Sequence, residues 1–447
     1  MAKRRFPGIA GALVIVAVVL AACGGAASTT SSGGSSASLT GGLTKSPVIG
    51  LDPTPITGNE SFEIGFATAG VYPAEWAINN AGGILDGHPM QELLPDDKSD
   101  PADAVTVFDR QLALNPTTSW TGGDTTTTPA LLPIATSHKL PFLTASGNGL
   151  YDQNNDPYLY RYVPPDPANG QAIALWIKQK GYTRVATLFG TDAGSQGDLP
   201  GVVDGLKAIK VDLASQVNVT PDQANYRADA ERLLLNKPQA IVTESDGATA
   251  ATFFGQLKQL GPLVPIIGTS GTPSGSYFQP LAKAIGDAAF QSDFVAVVVG
   301  VPNPSDPAQQ EYAKAVHAVG SRLQKPLDQW LGNPYTSDIY DTLVIFALAM
   351  DWAKSTVGSV YNSYIPRVTA DAPNKTVVHT YAEGKAALAK GEQIDYIGAA
   401  GHEVLDQHHN WYADQAVQQF SPSGAGKVIA TIPKQQIDAL ANQAGGA

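Results

Sequence analysis

Cysteine is nearly absent from this sequence. Cys23 is the single one in 447 residues, which excludes an intrachain disulfide, a zinc site built on cysteines and an iron–sulfur cluster. Charge is sparse too, at 15% of residues, and the positive sign is the scarcer one: 28 Lys and Arg stand against 40 Asp and Glu, for a formal net charge of −12. Beyond Lys3, Arg4 and Arg5 no basic cluster occurs, so no nucleic-acid partner is expected. After the first two dozen residues no apolar run reaches spanning length, since Leu343 to Met350 lies between the polar flanks of an ordinary helix. Enzyme signatures are missing as well. There is no G-x-x-x-x-G-K-S/T, because Gly424-Ala425-Gly426-Lys427 lacks the spacing and a preceding strand. The seven histidines form no H-E-x-x-H, and His402, His408 and His409 read as solvated turn residues, so neither a metal nor a cofactor is expected. Gly268-Thr269-Ser270-Gly271-Thr272 falls one glycine short of a nucleophile elbow and reads as a polar strand-end loop, so no catalytic residue is assigned. Asp96-Asp97 and Asp100 read as a solvated turn followed by a helix cap.

What is present begins at the N-terminus. Lys3, Arg4 and Arg5 precede an apolar run of 14 residues, Ile9 to Ala22, and small residues stand just before Cys23. This is the layout of a secretory signal peptide over 1–22. Leu20-Ala21-Ala22-Cys23 resembles the lipobox of bacterial lipoproteins, which implies lipidation of Cys23, a new N-terminus there and a membrane anchor outside the cytoplasm. Removal of 1–22 takes away three positive charges and leaves the chain more acidic still. From Gly24 to Gly42 the chain is almost entirely Gly, Ala, Ser and Thr, and Pro47 to Gly58 adds Pro-rich extended chain. Residues 23–58 therefore read as a flexible tether.

Hydrophobic residues make up 43% of the sequence, enough for a sizeable core. Short apolar runs alternate with helical stretches, the pattern of parallel α/β sheets. A strand is expected at 62–67, a helix at 73–79, a strand at 90–95, a helix at 100–112 capped by Asp100 with Pro101 first, a helix at 128–137 and a strand at 141–144. A second series follows: helices at 171–180, 199–209, 226–235 and 249–260, and strands at 184–189, 214–218, 240–243 and 265–268. Helices return at 307–323 and 337–354, and 396–420 alternates in a β manner around a turn at 406–410. Two such series in one chain predict two lobes.

Small polar residues recur just beyond the expected strand ends. They are Asp124-Thr125-Thr126-Thr127-Thr128, Thr144-Ala145-Ser146-Gly147-Asn148, Gly190-Thr191-Asp192 on to Gln196, Glu244-Ser245-Asp246-Gly247, and Thr269-Ser270. Ligands of open α/β sheets sit at the carboxyl ends of strands, where loop hydroxyls and helix N-termini converge. Ordinary turns and caps explain any one of these loops equally well; their recurrence in both series points to a shared cleft.

Ile78-Asn79-Asn80-Ala81-Gly82-Gly83-Ile84, Asp96-Asp97-Lys98-Ser99-Asp100-Pro101-Ala102-Asp103-Ala104, Pro141-Phe142-Leu143-Thr144, Asp204-Gly205-Leu206-Lys207-Ala208 and Tyr396-Ile397-Gly398-Ala399-Ala400-Gly401 with Asp406 resemble the branched-chain amino-acid (Leu/Ile/Val) binding proteins. The resemblance covers roughly residues 60–425. It implies a type I periplasmic-binding-protein fold: two Rossmann-like α/β lobes joined by a multi-crossing hinge, 60–165 with 301–405 and 166–300 with 406–435, followed by a tail at 436–447. It also implies a monomeric, non-enzymatic receptor that hands a small polar ligand to ABC permease subunits. The ligand-binding residues expected are Asp124, Thr125, Thr126, Ser146, Gly147, Asn148, Asp192, Gln196, Asp246, Thr269 and Ser270; the family's layout places its carboxylate and ammonium contacts at Asp124, Thr125, Ser146 and Asn148, while Thr126, Gly147, Asp192 and Thr269 come from the strand-end loops. Gln196 and the vicinity of Asp246 stand where the family places aromatics, and Ser270 where it places an acid. Asp124 or Asp246 is expected to pair with an ammonium group. The first strand-to-helix loop is expected to be short, because only about a dozen residues separate Phe66 from Asn79. Two other readings remain: a sensor of the same fold coupled to a signalling partner, and a surface hydrolase using Ser270 or Ser146.

Overall fold

The computed structural model describes residues 39–445 apart from 59, 62, 193, 301 and 302. The signal peptide, Cys23 and the first part of the Gly/Ser/Thr stretch lie outside the described residues. Among those described, no single helix is long and apolar enough to cross a membrane.

The first sheet corrects the expected start of the folded body. β1 (Val48–Leu51) lies within the stretch taken for tether and is fully buried. It is flanked by β2 (Met90–Leu93) and β3 (Trp120–Gly123), with β4 (Phe142–Thr144) and β5 (Leu159–Arg161) beyond, all parallel in the order β2-β1-β3-β4-β5. Leu39 also accepts a hydrogen bond from Asn79 Nδ2 at 2.6 Å, so the described part of the tether, 39–58, is tied to the body. Gly50 is required by packing, since a Cβ there would lie 2.1 Å from the Trp120 ring. The strand expected at 62–67 is instead the approach to and first turn of α1 (Ile64–Asn80). Ile64 and Phe66 alternate as a strand would, but Gly65, Ala69, Pro73 and Ala77 recur every four residues and form the buried stripe of a helix. The loop from β1 to α1 therefore runs from Asp52 to Glu63 and is not shortened.

α2 (Pro101–Leu114) and α3 (Thr128–Ser137) cover one face of this sheet, where Phe108, Leu131 and Ala135 pack on Leu51, Phe142 and Leu159. Asp100 caps α2 by accepting from the N–H groups of Ala102 and Asp103, as its place before Pro101 predicts.

The second sheet has seven strands, in the order β14-β13-β10-β9-β8-β6-β7. In chain order the elements are α4 (Asp166–Lys180), β6 (Arg184–Gly190), α5 (Leu199–Ala208), β7 (Asp212–Val219), α6 (Arg227–Leu234), β8 (Ile241–Glu244), α7 (Gly247–Leu260), β9 (Ile266–Gly268), α8 (Gly275–Ile285), α9 (Asp287–Asp293) and β10 (Phe294–Val299). The chain then returns to the first sheet's other face with α10 (Pro307–Ala318), α11 (Asp328–Leu331), α12 (Pro334–Ala353), α13 (Gly358–Tyr361) and α14 (Ile365–Val368). There Tyr312 and Leu343 to Met350 join Val48, Met90, Trp120 and Tyr160 in one core. β11 (Thr376–Val378) and β12 (Ile394–Tyr396) form a small parallel pair around α15 (Tyr381–Ala389).

β13 (Gln415–Phe420) and β14 (Gly426–Ile432) complete the second sheet as an antiparallel hairpin. A strand thus does precede Gly424-Ala425-Gly426-Lys427, but a strand also follows it, so this is a hairpin turn. α16 (Lys434–Gly445) replaces the expected tail and packs Ile437 and Leu440 beside Ile177 and Leu206. Both sheets are covered on both faces at their centres, and the central strand β10 and its neighbour β9 read as continuous apolar runs, whereas the edge strands β7 and β14 keep exposed residues. Each fully buried Val, Ile or Leu contributes roughly 2 kcal/mol from its burial.

Candidate functional site

Because the five strands of the first sheet are parallel, their carboxyl ends share one edge. Asp52 follows β1, Asp97 follows β2, Asp124 to Thr128 follow β3, and Ser146 to Asn148 follow β4. Asp124 is buried; its Oδ1 accepts from the N–H of Thr127 (2.7 Å) and from that residue's hydroxyl (2.9 Å), while Oδ2 has no partner. Thr125 and Thr126 are half-buried, and the Thr126 hydroxyl donates to Glu60 Oε1 at 2.7 Å. Ser146 is fully buried and its Oγ accepts from the N–H of Asn148 at 3.3 Å, while Asn148 Oδ1 accepts from the N–H of Leu150.

The second sheet presents its own strand ends. Asp192, after β6, is exposed and accepts from the N–H of Ser195 at 2.8 Å; the Gln196 side chain turns back to donate to the carbonyl of Gly190. Asp246 caps α7 by accepting from the N–H groups of Ala248 and Thr249, both at 2.9 Å, and its Oδ2 has no partner. Thr269 is fully buried. Ser270, also buried, has its N–H directed to Asn169 Oδ1 at 3.2 Å and its Oγ accepting from the Tyr335 hydroxyl at 3.0 Å.

Two features tie the edges together. Tyr335 stands at the start of α12, a helix of the first sheet's layer, and its bond to Ser270 reaches a strand end of the second. Asp166 donates its N–H to the carbonyl of Gly147 at 2.7 Å, and its carboxyl fills the space a Cβ would need at both Gly147 and Gly197. Gly147 thus serves as a contact that only glycine permits.

Acid side chains dominate the electrostatics. Burial raises the carboxyl of Asp52, and Glu92, Asp124, Asp97 and Glu63 add to that. Glu63 is raised by burial and then by Asp124, Glu60 and Asp97. Asp97 is pushed up to about 7 by burial, against one N–H bond from Ser99, with Asp124, Asp96 and Glu60 pushing the same way. Glu60 is raised by burial, with Asp124 and Asp192 contributing. On the other side burial pushes Glu244 up to about 8, with Asp166 and Asp192 contributing. Asp198 is raised by burial and then by Glu244 and Asp166, and Asp166 goes to about 7 through burial, opposed by Arg161.

Of the residues expected from the sequence, Asp124 and Asp192 join this electrostatic group, Thr126 joins through Glu60, and Gly147 through Asp166. Missed were Asp52, Glu60, Glu63, Asp97, Asp166, Asp198 and Tyr335, while Glu244 was seen only as loop. Asp97 is not the solvated turn residue expected: it is fully buried. Asn333 before Pro334 was an available cap signal for α12 and hence for Tyr335. The histidines are structural rather than solvated: His402 Nε2 meets Asp395 Oδ1 at 2.9 Å, and His409 stacks on Tyr160 with ring centroids 4.6 Å apart.

Compared with known proteins, residues 54–360 match the family model described as periplasmic binding protein. Among solved structures, the leucine-binding protein LivK from Thermotoga maritima aligns with a TM-score of 0.68 at 18% identity, covering 87% of this chain and 99% of that one. The branched-chain amino-acid substrate-binding protein LivJ from Streptococcus pneumoniae, in complex with isoleucine, gives 0.66 at 17%, covering 87% and 99%. A solute-binding protein from R. palustris in complex with benzoate gives 0.63 at 14%, covering 87% and 97%. At such identities the likeness speaks for the fold. Among curated proteins, glutamate receptor 2.4 of Arabidopsis thaliana is 26% identical over 134 residues, which is 29% of this chain and 15% of that receptor.

Proposed function

This chain belongs to the periplasmic binding protein family, and we propose that it is the solute-capturing component of an ABC importer, working outside the cytoplasm on a lipid anchor at Cys23 and performing no chemistry on its ligand. The carrying observation is the meeting of two sets of strand ends, with Tyr335 of one layer bonded to Ser270 of the other. Lobe one comprises 48–165 with 303–405, its start moved back to take in β1; lobe two comprises 166–300 with 406–445, extended to take in α16. The segments between β5 and α4, β10 and α10, and β12 and β13 serve as the hinge. A ligand held by both lobes shifts the open–closed equilibrium by its differential affinity for the closed form, and the closed monomer docks on permease subunits.

Small-angle scattering of the Cys23→Ser chain tests the closure. A smaller radius of gyration with a bound ligand supports the reading, and identical curves with and without a tightly bound ligand overturn it. The same substitution is expected to move the protein from the membrane fraction to the soluble one. A sensor on the same fold is the second reading, favoured by the match to the plant receptor; affinity capture of permease subunits decides for transport, and capture of a signalling partner alone decides for sensing.

A further inference from the structure

The acids at the strand ends form one continuous electrostatic series. Asp124 acts on Asp52, Glu63 and Asp97, and Asp97 acts on Asp52 and Glu63; Glu60 feels Asp124 and Asp192; Asp192 reaches Glu244, which acts with Asp166 and Asp198. Glu60, beside the first sheet, and Asp192, beside the second, are the link. Among the described residues positive charge does not answer this series. Arg161, which bears on Asp166, is already bonded to Asp152 Oδ1 (2.6 Å), the carbonyl of Asn148 (2.9 Å) and Asn410 Oδ1 (2.9 Å).

An independent observation concerns individual oxygens. Asp97 and Asp124 are both more than nine-tenths buried, and each keeps a carboxylate oxygen with no partner, Oδ2 in both; the Asp198 carboxyl is instead hydrogen-bonded to that of Glu244. Such an oxygen carries a full desolvation cost unless a donor or a proton meets it. A metal ion is a poor fit, because among the described residues no group of three or more His, Cys, Asp or Glu is arranged to hold one. The acids are spread along the cleft, about 5 Å from strand to neighbouring strand.

At three of these loops, N–H groups that could receive a ligand carboxylate are already taken by acids of the chain. Asp124 accepts from Thr127, Asp192 from Ser195, and Asp246 from Ala248 and Thr249. Each of these turns or helix starts is thus neutralised by a carboxylate of the chain itself, which leaves little attraction for a second anion.

We propose that the cleft binds an elongated organic cation with two protonated nitrogen centres, of the alkyl diamine or guanidino-amine class, in preference to a neutral amino acid or an organic anion. This rests on the reading of the cleft as the ligand site. One nitrogen centre lies among Asp52, Asp97 and Asp124, the other between Asp192 and Glu244, and charge-assisted hydrogen bonds satisfy the orphan oxygens. Asp97 and Glu244 are raised to about 7 and about 8 by burial, with Asp124, Asp96 and Glu60 adding on one side and Asp166 and Asp192 on the other, where hydrogen bonds from Asp198 and Thr269 oppose the rise in Glu244; both release protons when the cation enters. Affinity therefore rises from pH 6 to pH 8.

Calorimetry on the detergent-solubilised full chain with 1,4-diaminobutane, agmatine, leucine and benzoate is the test. The expected result is binding of a dication at least tenfold tighter than leucine or benzoate, weakened more than tenfold by Asp124→Asn and by Glu244→Gln in variants whose melting temperatures match or exceed the parent's. Asp192→Asn, at an exposed position where the amide oxygen can still accept from the Ser195 N–H, is expected to weaken binding in the same direction. Tighter binding of leucine or benzoate overturns the cationic assignment and leaves the cleft reading standing. Dication binding unchanged by all three substitutions overturns the cleft as its place. No binding of any of the four compounds overturns the cationic assignment, and an unchanged scattering curve with a ligand found by any other route then removes the reading beneath it.

Discussion

Asp97, Asp124, Asp198 and Glu244 sit at loops and strand ends beside half-exposed or exposed acids, whereas Asp338, Asp341 and Glu403 lie inside the first sheet's helical layer, 1% exposed or less. Burial drives carboxyls upward in both places: Asp97, Asp198 and Glu244 at the strand ends, and Asp338, Asp341 and Glu403 in the helical layer. In the enclosed group one member is well served: Asp341 accepts from the Tyr396 hydroxyl (2.7 Å) and the Ala400 N–H (2.5 Å), and Gly398 leaves the room, since a Cβ there would lie 2.3 Å from the carboxyl. Its carboxyl is held to about 6. Neither oxygen of Asp338 or of Glu403 has a partner, and burial together with Asp341 raises both. The enclosed group therefore spends its donors on Asp341 and leaves Asp338 and Glu403 to hold their protons to higher pH than an exposed carboxyl does. Fully buried tyrosines, Tyr162, Tyr340 and Tyr396, wall it off. A carboxyl that is enclosed is answered by a proton, while one at an open strand end is available to a ligand; neighbours, not residue type, separate the two.

Removing the served acid gives the largest expected effect. Asp341→Ala strips the acceptor from a buried hydroxyl and a buried N–H, and it is expected to cost about 3 kcal/mol of unfolding free energy in a urea titration. Dication affinity is expected to stay within twofold. A large loss of affinity with stability retained breaks the comparison, because the enclosed group would then be part of the cleft's chemistry.

A smaller effect separates the groups by pH. A carboxyl whose folded-state pKa exceeds its unfolded value holds its proton longer in the native state, so its contribution to stability is present below the unfolded pKa and is lost as pH rises toward the folded one. Asp338 follows this sign. Between pH 5 and pH 8 the ligand-free parent is expected to lose stability, and Asp338→Asn to lose less, by about 1–2 kcal/mol. Saturating dication is expected to remove the part of the slope that comes from the cleft and to leave the part from Asp338. A slope identical in parent and variant, followed by thermal melts, places the titrating proton elsewhere.

The degree to which these groups were legible in the sequence follows from where each acid stands. α2 and α3 were readable because Asp100-Pro101 and Thr128-Pro129 carry cap and first-turn chemistry in the local chain. β1 was not: Val48–Leu51 is four residues between prolines, too short to show a period, and only pairing with β2 and β3 makes it a strand. That error hid Asp52, Glu60 and Glu63, because a strand misplaced at 62–67 puts its carboxyl end on the wrong residues. The loops at Asp124, Ser146, Asp192, Asp246 and Ser270 were found by a rule about strand ends, which needs no partner to be known. Asp166, Asp198 and Tyr335 belong to no local motif; Asp166 matters because Gly147 and Gly197, far apart in sequence, close on its carboxyl.

The smallest effect is the sharpest form of the comparison, since Asp96 and Asp97 are neighbours in sequence and go opposite ways. Asp96 feels a little burial, but it accepts from the hydroxyl of Thr57 (2.8 Å) and from the N–H groups of Thr57 and Lys98 (both 3.0 Å), and these bonds hold its carboxyl below the usual range. Asp97 is driven up by burial, with only the Ser99 N–H (2.8 Å) to favour its charge. For Asp96 the stabilisation is present above the unfolded pKa and is lost on acidification; for Asp97 it is lost as pH rises toward 7. Asp96→Asn is therefore expected to cost under about 1 kcal/mol at pH 8, a small figure because water screens a side chain near the surface, and to approach the parent at pH 3.5. Asp97→Asn is expected to match the parent at pH 5 and to exceed it at pH 8. Urea titrations at pH 3.5, 5 and 8 read both differences, and two differences of the same sign at pH 8 would mean that Asp97 is solvated as its neighbour is, which removes it from the buried acids of the cleft.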